Sequence, residues 1–213
     1  PLRDSHSFET MPVWEILQKS SNIGVAKIAL EMGERRLYQT LARFGFGEPT
    51  GIGFSNEASG IYRDLEKWDG LSITRFPIGQ GILVTPLQLV QAYCALANHG
   101  YMMQLHVLDR LEGTADGVVE TTVQRIKRRA VRPRAAHQVT RALKLVTQED
   151  GTAPEAAVPG YEVAGKTGTA QKVINGRYSN EHYVSSFIGY VPADDPAFVL
   201  LVVADDPSEN GYY

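Results

Sequence analysis

Near the end of the chain two apolar runs, Tyr183–Val191 and Ala197–Ala204, flank the segment Pro192-Ala193-Asp194-Asp195-Pro196. A turn this rich in Pro and Asp stops one strand and redirects the chain before the next, so the two runs read as strands of an antiparallel sheet. A third strand precedes them, starting at Tyr161–Ala164 and continuing through the next few residues. Everything before that reads mainly as helix. The order, helices first and then an antiparallel sheet, predicts an α+β fold.

The helical part has clear punctuation. Pro12–Lys19 places Val13, Ile16 and Leu17 on one face, and the polar break Ser20-Ser21-Asn22 follows. Ile23–Met32 is a second helix closed by Gly33, and Glu34–Phe44 a third, stopped by Gly45 and Gly47. Residues 45–82 are rich in Gly, Pro and Asn and read as loops with short elements. Thr85-Pro86-Leu87-Gln88 is a helix start, with Thr85 as N-cap, Pro86 at the first helical position and Gln88 reaching back. That helix runs to about Asn98, before Gly100, and its mostly apolar faces predict burial. Residues 101–134 are mixed and suggest a hairpin, and Ala135–Gln148 is helical, with Val139, Leu143 and Val146 on one face.

Composition narrows the function. A length of 213 residues suits one domain with a core, on a prior of roughly 100–200 residues per domain. The formal net charge of -3 argues against general nucleic-acid binding, which needs a positive surplus. The single cysteine, Cys94, sits in an apolar helical pattern and reads as a small buried residue. The longest apolar run, Phe198–Ala204, is strand-length, far short of the roughly 20 residues of a membrane helix. The opening Pro1-Leu2-Arg3-Asp4-Ser5-His6 has no leader pattern, and with no initiator Met it suggests an excised or processed piece.

Two motifs carry chemistry. Ser20-Ser21-Asn22 lies between two helices, where alternate residues can aim the Ser20 hydroxyl and the Asn22 amide into one cleft. A hydroxyl relays protons and an amide holds a peptide carbonyl. Taken alone, Ser and Asn before a helix are more often plain caps. Lys166-Thr167-Gly168-Thr169 places an ammonium, two hydroxyls and a glycine within four residues of a strand. Lys166 supplies positive charge, Thr167 and Thr169 supply hydroxyls suited to a carboxylate, and Gly168 lets a ligand approach the backbone. A backbone N–H there suits an oxyanion hole.

In this order the pair resembles the S-D-N and K-T-G members of the active-site set of penicillin-binding proteins and serine β-lactamases. The stretches LQKSSNIGVAKIALEMG, RFGFGEPTGIGF, GQGILVTPLQLVQAYCALANHG, VAGKTGTAQK and SSFIGYVPADDPAFVLLVV resemble the class B transpeptidases of septal or elongation peptidoglycan synthesis. The resemblance implies the transpeptidase fold of that family over residues 1–213, incomplete at both ends. It implies that Ser20 and Asn22 assist proton transfer and hold substrate, and that Lys166, Thr167 and Gly168 bind the terminal carboxylate of a stem peptide or β-lactam. The N–H of Thr169 becomes an oxyanion donor, and Tyr212 and Tyr213 begin a loop lining the pocket. No metal or organic cofactor is implied. The implied partners are the upstream segment of the same domain and membrane proteins of cell division or elongation. The implied location is the outer face of the bacterial inner membrane, with a tether by an N-terminal helix.

The family attacks with the serine of S-x-x-K, whose lysine activates a weak nucleophile. No serine of this chain has a lysine three residues later. The resemblance places that motif upstream of Pro1, on a central helix whose absence would leave apolar surface bare. The last strand and helix would follow Tyr213.

Other readings compete. Gly160-Tyr161-Glu162-Val163-Ala164-Gly165-Lys166-Thr167 satisfies the P-loop pattern. That mechanism needs a strand before it and a helix after it, whereas Gly168–Gln171 and then Asn175-Gly176 read as strand and turn. A serine β-lactamase-like hydrolase needs a base for deacylation, and Glu57 and Glu66 are the acids in the intervening region. An inactive remnant or scaffold piece is the non-enzymatic reading. The basic run Arg125, Lys127, Arg128, Arg129, Arg132, Arg134 reads as a solvated face. The histidines His6, His99, His106, His137 and His182 are too scattered for a metal motif.

Overall fold

The computed structural model describes residues 2–4, 6–113 and 117–208. Three helices open it: α1 (Val13–Gln18), α2 (Asn22–Met32) and α3 (Glu34–Arg43). Each lies within a residue or two of its expected bounds. Gly33 separates α2 from α3 with φ +84°, a conformation glycine takes freely. The short α4 (Ser72–Arg75) lies in the loop region, and Ala29, Leu37 and Ile73 form a small core with Trp68 packed against it.

Helix α5 (Pro86–Ala97) starts as its sequence requires. The Thr85 hydroxyl accepts the Gln88 N–H at 3.1 Å, and the Gln88 side chain accepts the Thr85 N–H at 2.8 Å. Its buried residues include two glutamines, Gln88 and Gln91, beside Ala92 and Ala95. The Gln88 amide also donates to the carbonyls of Glu48 and Ser59, both at 2.8 Å, so its burial leaves no polar group unpaired. Cys94 is half-buried on this helix, and burial pushes its thiol up, away from reactivity.

The mixed region holds two hairpin-like pairs. β1 (Tyr101–Met103) pairs with β4 (Ile126–Arg129), and β2 (Arg110–Gly113) with β3 (Gly117–Thr121), nested inside it. Three residues of the basic run are already engaged here. Lys127 and Arg128 pair with Glu48, and Arg129 lies 4.3 Å over the Tyr101 ring. Helix α6 (Pro133–Lys144) follows, continued by one 3-10 turn over Leu145–Thr147.

The sheet has the order β5-β6-β7, with β5 (Ala164–Ile174), β6 (Arg177–Val191) and β7 (Phe198–Asp205), antiparallel throughout. Two expected bounds change. β5 begins at Ala164; Tyr161 makes only an isolated bridge to Val158. β6 begins at Arg177, well before Tyr183, because Asn175 (φ 53°) and Gly176 (φ 77°) form a tight turn that brings β6 straight back along β5. One face of the sheet packs on α5 and α6 through Ala164, Tyr190 and Val199 against Leu143, Tyr93 and Leu96. A buried hydrogen bond of 2.7 Å joins the Tyr190 and Thr140 hydroxyls there. On the other face, Phe198 is 73% and Leu200 64% exposed. A second apolar surface lies between α1, α2 and α6, a groove of about 870 Å³ lined by Trp14, Leu17, Ile28, Val139 and Leu145.

Candidate active site

The turn between α1 and α2 places Ser20. The Ser20 N–H donates to Leu17 O at 3.3 Å and the Ser21 N–H to Ile16 O at 3.0 Å, the paired bonds of a Schellman ending. The residue at the bend of this motif is left-handed, and glycine is its usual occupant. Here it is Ser20, with φ 54°. A serine held there costs about 1 kcal/mol relative to an unstrained conformer, so local structure alone does not explain it. Its Oγ accepts a hydrogen bond of 2.8 Å from Lys166 Nζ.

Ser21 does the capping. Its hydroxyl accepts the Gly24 N–H at 2.8 Å and donates to Asp4 Oδ2 at 2.9 Å, while Asp4 Oδ1 accepts the Ile23 N–H at 3.0 Å. Asn22 is the first residue of α2, and its amide donates to Arg3 O at 3.1 Å. Ser20 therefore meets Lys166 directly, whereas Asn22 is tied to the extended segment before α1. The cap is thus the role of the middle residue of the motif, Ser21, which the sequence pattern alone does not separate from its neighbours.

Lys166 comes from the third position of β5, opposite Ile188. Its ammonium has three N–H donors and three neutral acceptors: Ser20 Oγ, Thr167 O at 3.1 Å and Thr167 Oγ1 at 3.2 Å. Among the described residues no carboxylate pairs with it. Burial pushes its pKa down to about 8. The site is thus a desolvated cation with satisfied hydrogen bonds and no counter-charge among those residues, on the outer strand of a sheet. The outer strand leaves alternate backbone groups unpaired by β6.

Gly168 and Thr169 continue β5 opposite Ser186 and Ser185. A Cβ on Gly168 would lie 2.7 Å from Ser186 Oγ, so packing across the sheet already favours glycine there. Tyr212 and Tyr213 lie outside the described residues.

Three participants were not visible in the sequence. Asp4 caps α2 from 17 residues away. Lys19 Nζ donates to Asp150 O at 2.8 Å, and Thr152 Oγ1 lies 3.0 Å from Thr167 Oγ1. No periodicity or local spacing signals contacts across such separations.

The geometry removes the P-loop reading and gives neither Glu57 nor Glu66 the place of a deacylating base. Lys166 and Thr167 lie inside a strand that continues to Ile174, so no helix N-terminus follows to hold a phosphate. Glu57 accepts the Thr50 N–H at 2.8 Å and the Gly51 N–H at 2.9 Å, and the Thr50 hydroxyl bonds to it as well. The Thr50 side-chain bond leads in holding its carboxyl below the usual range, a loop staple rather than a base. Glu66 is exposed on a 3-10 turn.

The sequence matches the family described as penicillin binding protein transpeptidase domain over residues 3–213. It is 32% identical over 213 residues to the probable peptidoglycan D,D-transpeptidase PenA of Neisseria gonorrhoeae, covering 100% of this chain and 35% of that protein. The structure matches the apo transpeptidase domain of Burkholderia pseudomallei penicillin-binding protein 3 with a TM-score of 0.87 at 33% identity, covering 100% of this chain and 61% of that one. It matches Mycobacterium tuberculosis penicillin-binding protein 3, complexed with aztreonam, with a TM-score of 0.90 at 32% identity, over 99% of this chain and 49% of that one. The chain spans about a third of the length of the curated relatives it matches. A match over nearly every residue, with the sheet and helices superimposing on solved transpeptidases, places this chain in the penicillin-binding protein transpeptidase family.

Proposed function

We propose that these residues form the anion-binding and proton-relay side of a serine D,D-transpeptidase site that cross-links peptidoglycan stem peptides and is acylated by β-lactams. The observation that carries this is the half-buried Lys166 ammonium, held by Ser20 and Thr167 and facing no carboxylate among the described residues. Such a site favours an incoming anion, and the terminal carboxylate of a D-Ala-D-Ala peptide or a β-lactam supplies one. The reaction is acyl transfer. A serine oxygen attacks the carbonyl between the two D-alanines, the bond to the terminal D-alanine breaks, and that D-alanine leaves as the amine. A second stem-peptide amine then takes the acyl group and frees the serine.

The nucleophile comes from outside residues 1–213, since no serine here has a lysine three residues on. Ser20 relays the proton between that serine and the leaving amine, with Lys166 holding its hydroxyl. Asn22 holds the substrate amide after leaving Arg3, Gly168 lets the ligand lie along β5, and the Thr169 N–H serves the oxyanion. The location is the outer face of the inner membrane. Among the described residues no helix is long and apolar enough to cross it.

The test is Ser20→Ala in the whole protein that carries this chain. The second-order rate of acylation by benzylpenicillin is expected to fall by about 100-fold, with the melting temperature within a few degrees of the parent. An unchanged rate removes Ser20 from the relay. Slow acylation in the parent itself would favour the inactive-scaffold reading.

A further inference from the structure

The segment between α6 and β5 is built onto the site. Thr147 Oγ1 donates to Val163 O at 3.0 Å, fixing the loop's base against the residue before β5. The Gly151 N–H donates to Gln148 O at 2.8 Å and the Ala153 N–H to Val146 O at 2.9 Å, which folds residues 148–153 into a tight turn. From the other side of the cleft, Lys19 Nζ reaches Asp150 O at 2.8 Å. The loop is thereby tied both to the strand bearing Lys166 and to the turn bearing Ser20. At its end Thr152 Oγ1 lies 3.0 Å from Thr167 Oγ1, at a half-buried position.

A threonine hydroxyl has one proton and two lone pairs. Thr167 Oγ1 already accepts from Lys166, so its proton points elsewhere. If Thr152 donates to the remaining lone pair, the Thr167 proton is left to meet a ligand. If Thr152 accepts instead, that proton is occupied until the ligand arrives. Only the donating arrangement, with Lys166 on one lone pair and Thr152 on the other, leaves the Thr167 proton for a carboxylate.

We propose that Thr152 is a positioning residue that acts through Thr167, setting its hydroxyl so that Lys166 and Thr167 together receive a ligand carboxylate. The proposal rests on the reading of Lys166 and Thr167 given above. A hydrogen bond of this kind is worth about 3- to 10-fold in a rate.

The experiment is a double-mutant cycle in the whole protein, read as the second-order rate of acylation by benzylpenicillin. Thr167→Val is expected to slow acylation at least about 10-fold, and Thr152→Val about 3- to 10-fold. Thr152→Ser keeps the hydroxyl and is expected to stay within about twofold of the parent. The double variant Thr152→Val/Thr167→Val is expected to be no slower than Thr167→Val alone, because Thr152 has nothing left to position. If Thr167→Val slows the reaction while Thr152→Val leaves it unchanged, or if the two losses multiply, the positioning role is wrong and the carboxylate role of Thr167 stands. If Thr167→Val itself leaves the rate unchanged, the carboxylate reading fails first. Should Thr152→Val not fold, Thr152→Ala supplies the same comparison, since it removes the hydroxyl and adds no bulk.

Discussion

Replacing Lys166 by methionine is expected to stabilise the fold at pH 7 while lowering benzylpenicillin acylation by at least about 100-fold. The two effects have one origin. The ammonium is half-buried with only neutral acceptors around it among the described residues, and burial pushes its pKa down to about 8 from the ordinary 10.5. Keeping it charged at pH 7 therefore opposes folding, and methionine fills similar space without that cost. The freed acceptors Ser20 Oγ, Thr167 O and Thr167 Oγ1 offset part of the gain, so the net is about 1–2 kcal/mol. The pH dependence has a definite sign. Between pH 8 and 10.5 the unfolded chain holds the Lys166 proton and the folded chain has lost it, so parent stability rises with pH across that window. The advantage of Lys166→Met is largest below pH 8 and shrinks as pH rises towards 10.5. Urea unfolding at pH 7, 8, 9 and 10 measures it. A variant that is less stable at every pH would mean that Lys166 is a structural bond rather than a cation held for a ligand.

Gly151→Ala is expected to cost about 2–3 kcal/mol, a large loss for one methyl group. A Cβ at this position would lie 2.0 Å from Val146 O, 2.4 Å from Val146 C and 2.6 Å from Leu145 O. These are backbone atoms and no rotamer change relieves them. Val146 O cannot swing aside, because it accepts the Ala153 N–H and Val146 itself is fully buried. The loop must open, and Thr152 moves with it. Acylation falls together with the melting temperature, which distinguishes this variant from Thr152→Val. Wild-type stability in Gly151→Ala would show the loop to be loose enough to absorb the methyl, and a loose loop has little power to position Thr167.

The sequence was most legible where local chemistry decides the outcome. Thr85 and Gln88 form the capping box that their spacing predicts, and the Pro192–Pro196 turn separates β6 from β7. β6 began earlier than its apolar run because an Asn-Gly turn fixes register regardless of the polar Ser179, Asn180 and Glu181 that follow. Gln88 and Gln91 are buried on a helix whose apolar residues alone predict its burial. Their amides are satisfied by distant carbonyls, which a one-dimensional pattern does not contain. At the site, the resemblance named Ser20 and Lys166 as members of one set without pairing them, and the 2.8 Å contact between them across 146 residues is one that no spacing signals. What the motifs left out is the framework. Asp4 caps, Lys19 straps and Thr152 orients, through contacts made only after the chain has folded. Ser20 also marks where local and functional demands conflict, since the Schellman bend favours glycine and the site keeps a hydroxyl there.

A chain that holds the receiving side of a serine site, with the nucleophile elsewhere, is itself left unacylated by a β-lactam. Intact mass after exposure to excess benzylpenicillin, followed by peptide mapping, tests it most directly. One covalent equivalent is expected on the whole protein, mapped to a serine outside residues 1–213, and no adduct on the chain by itself. An adduct on Ser20, or on any other serine of this chain, would contradict it.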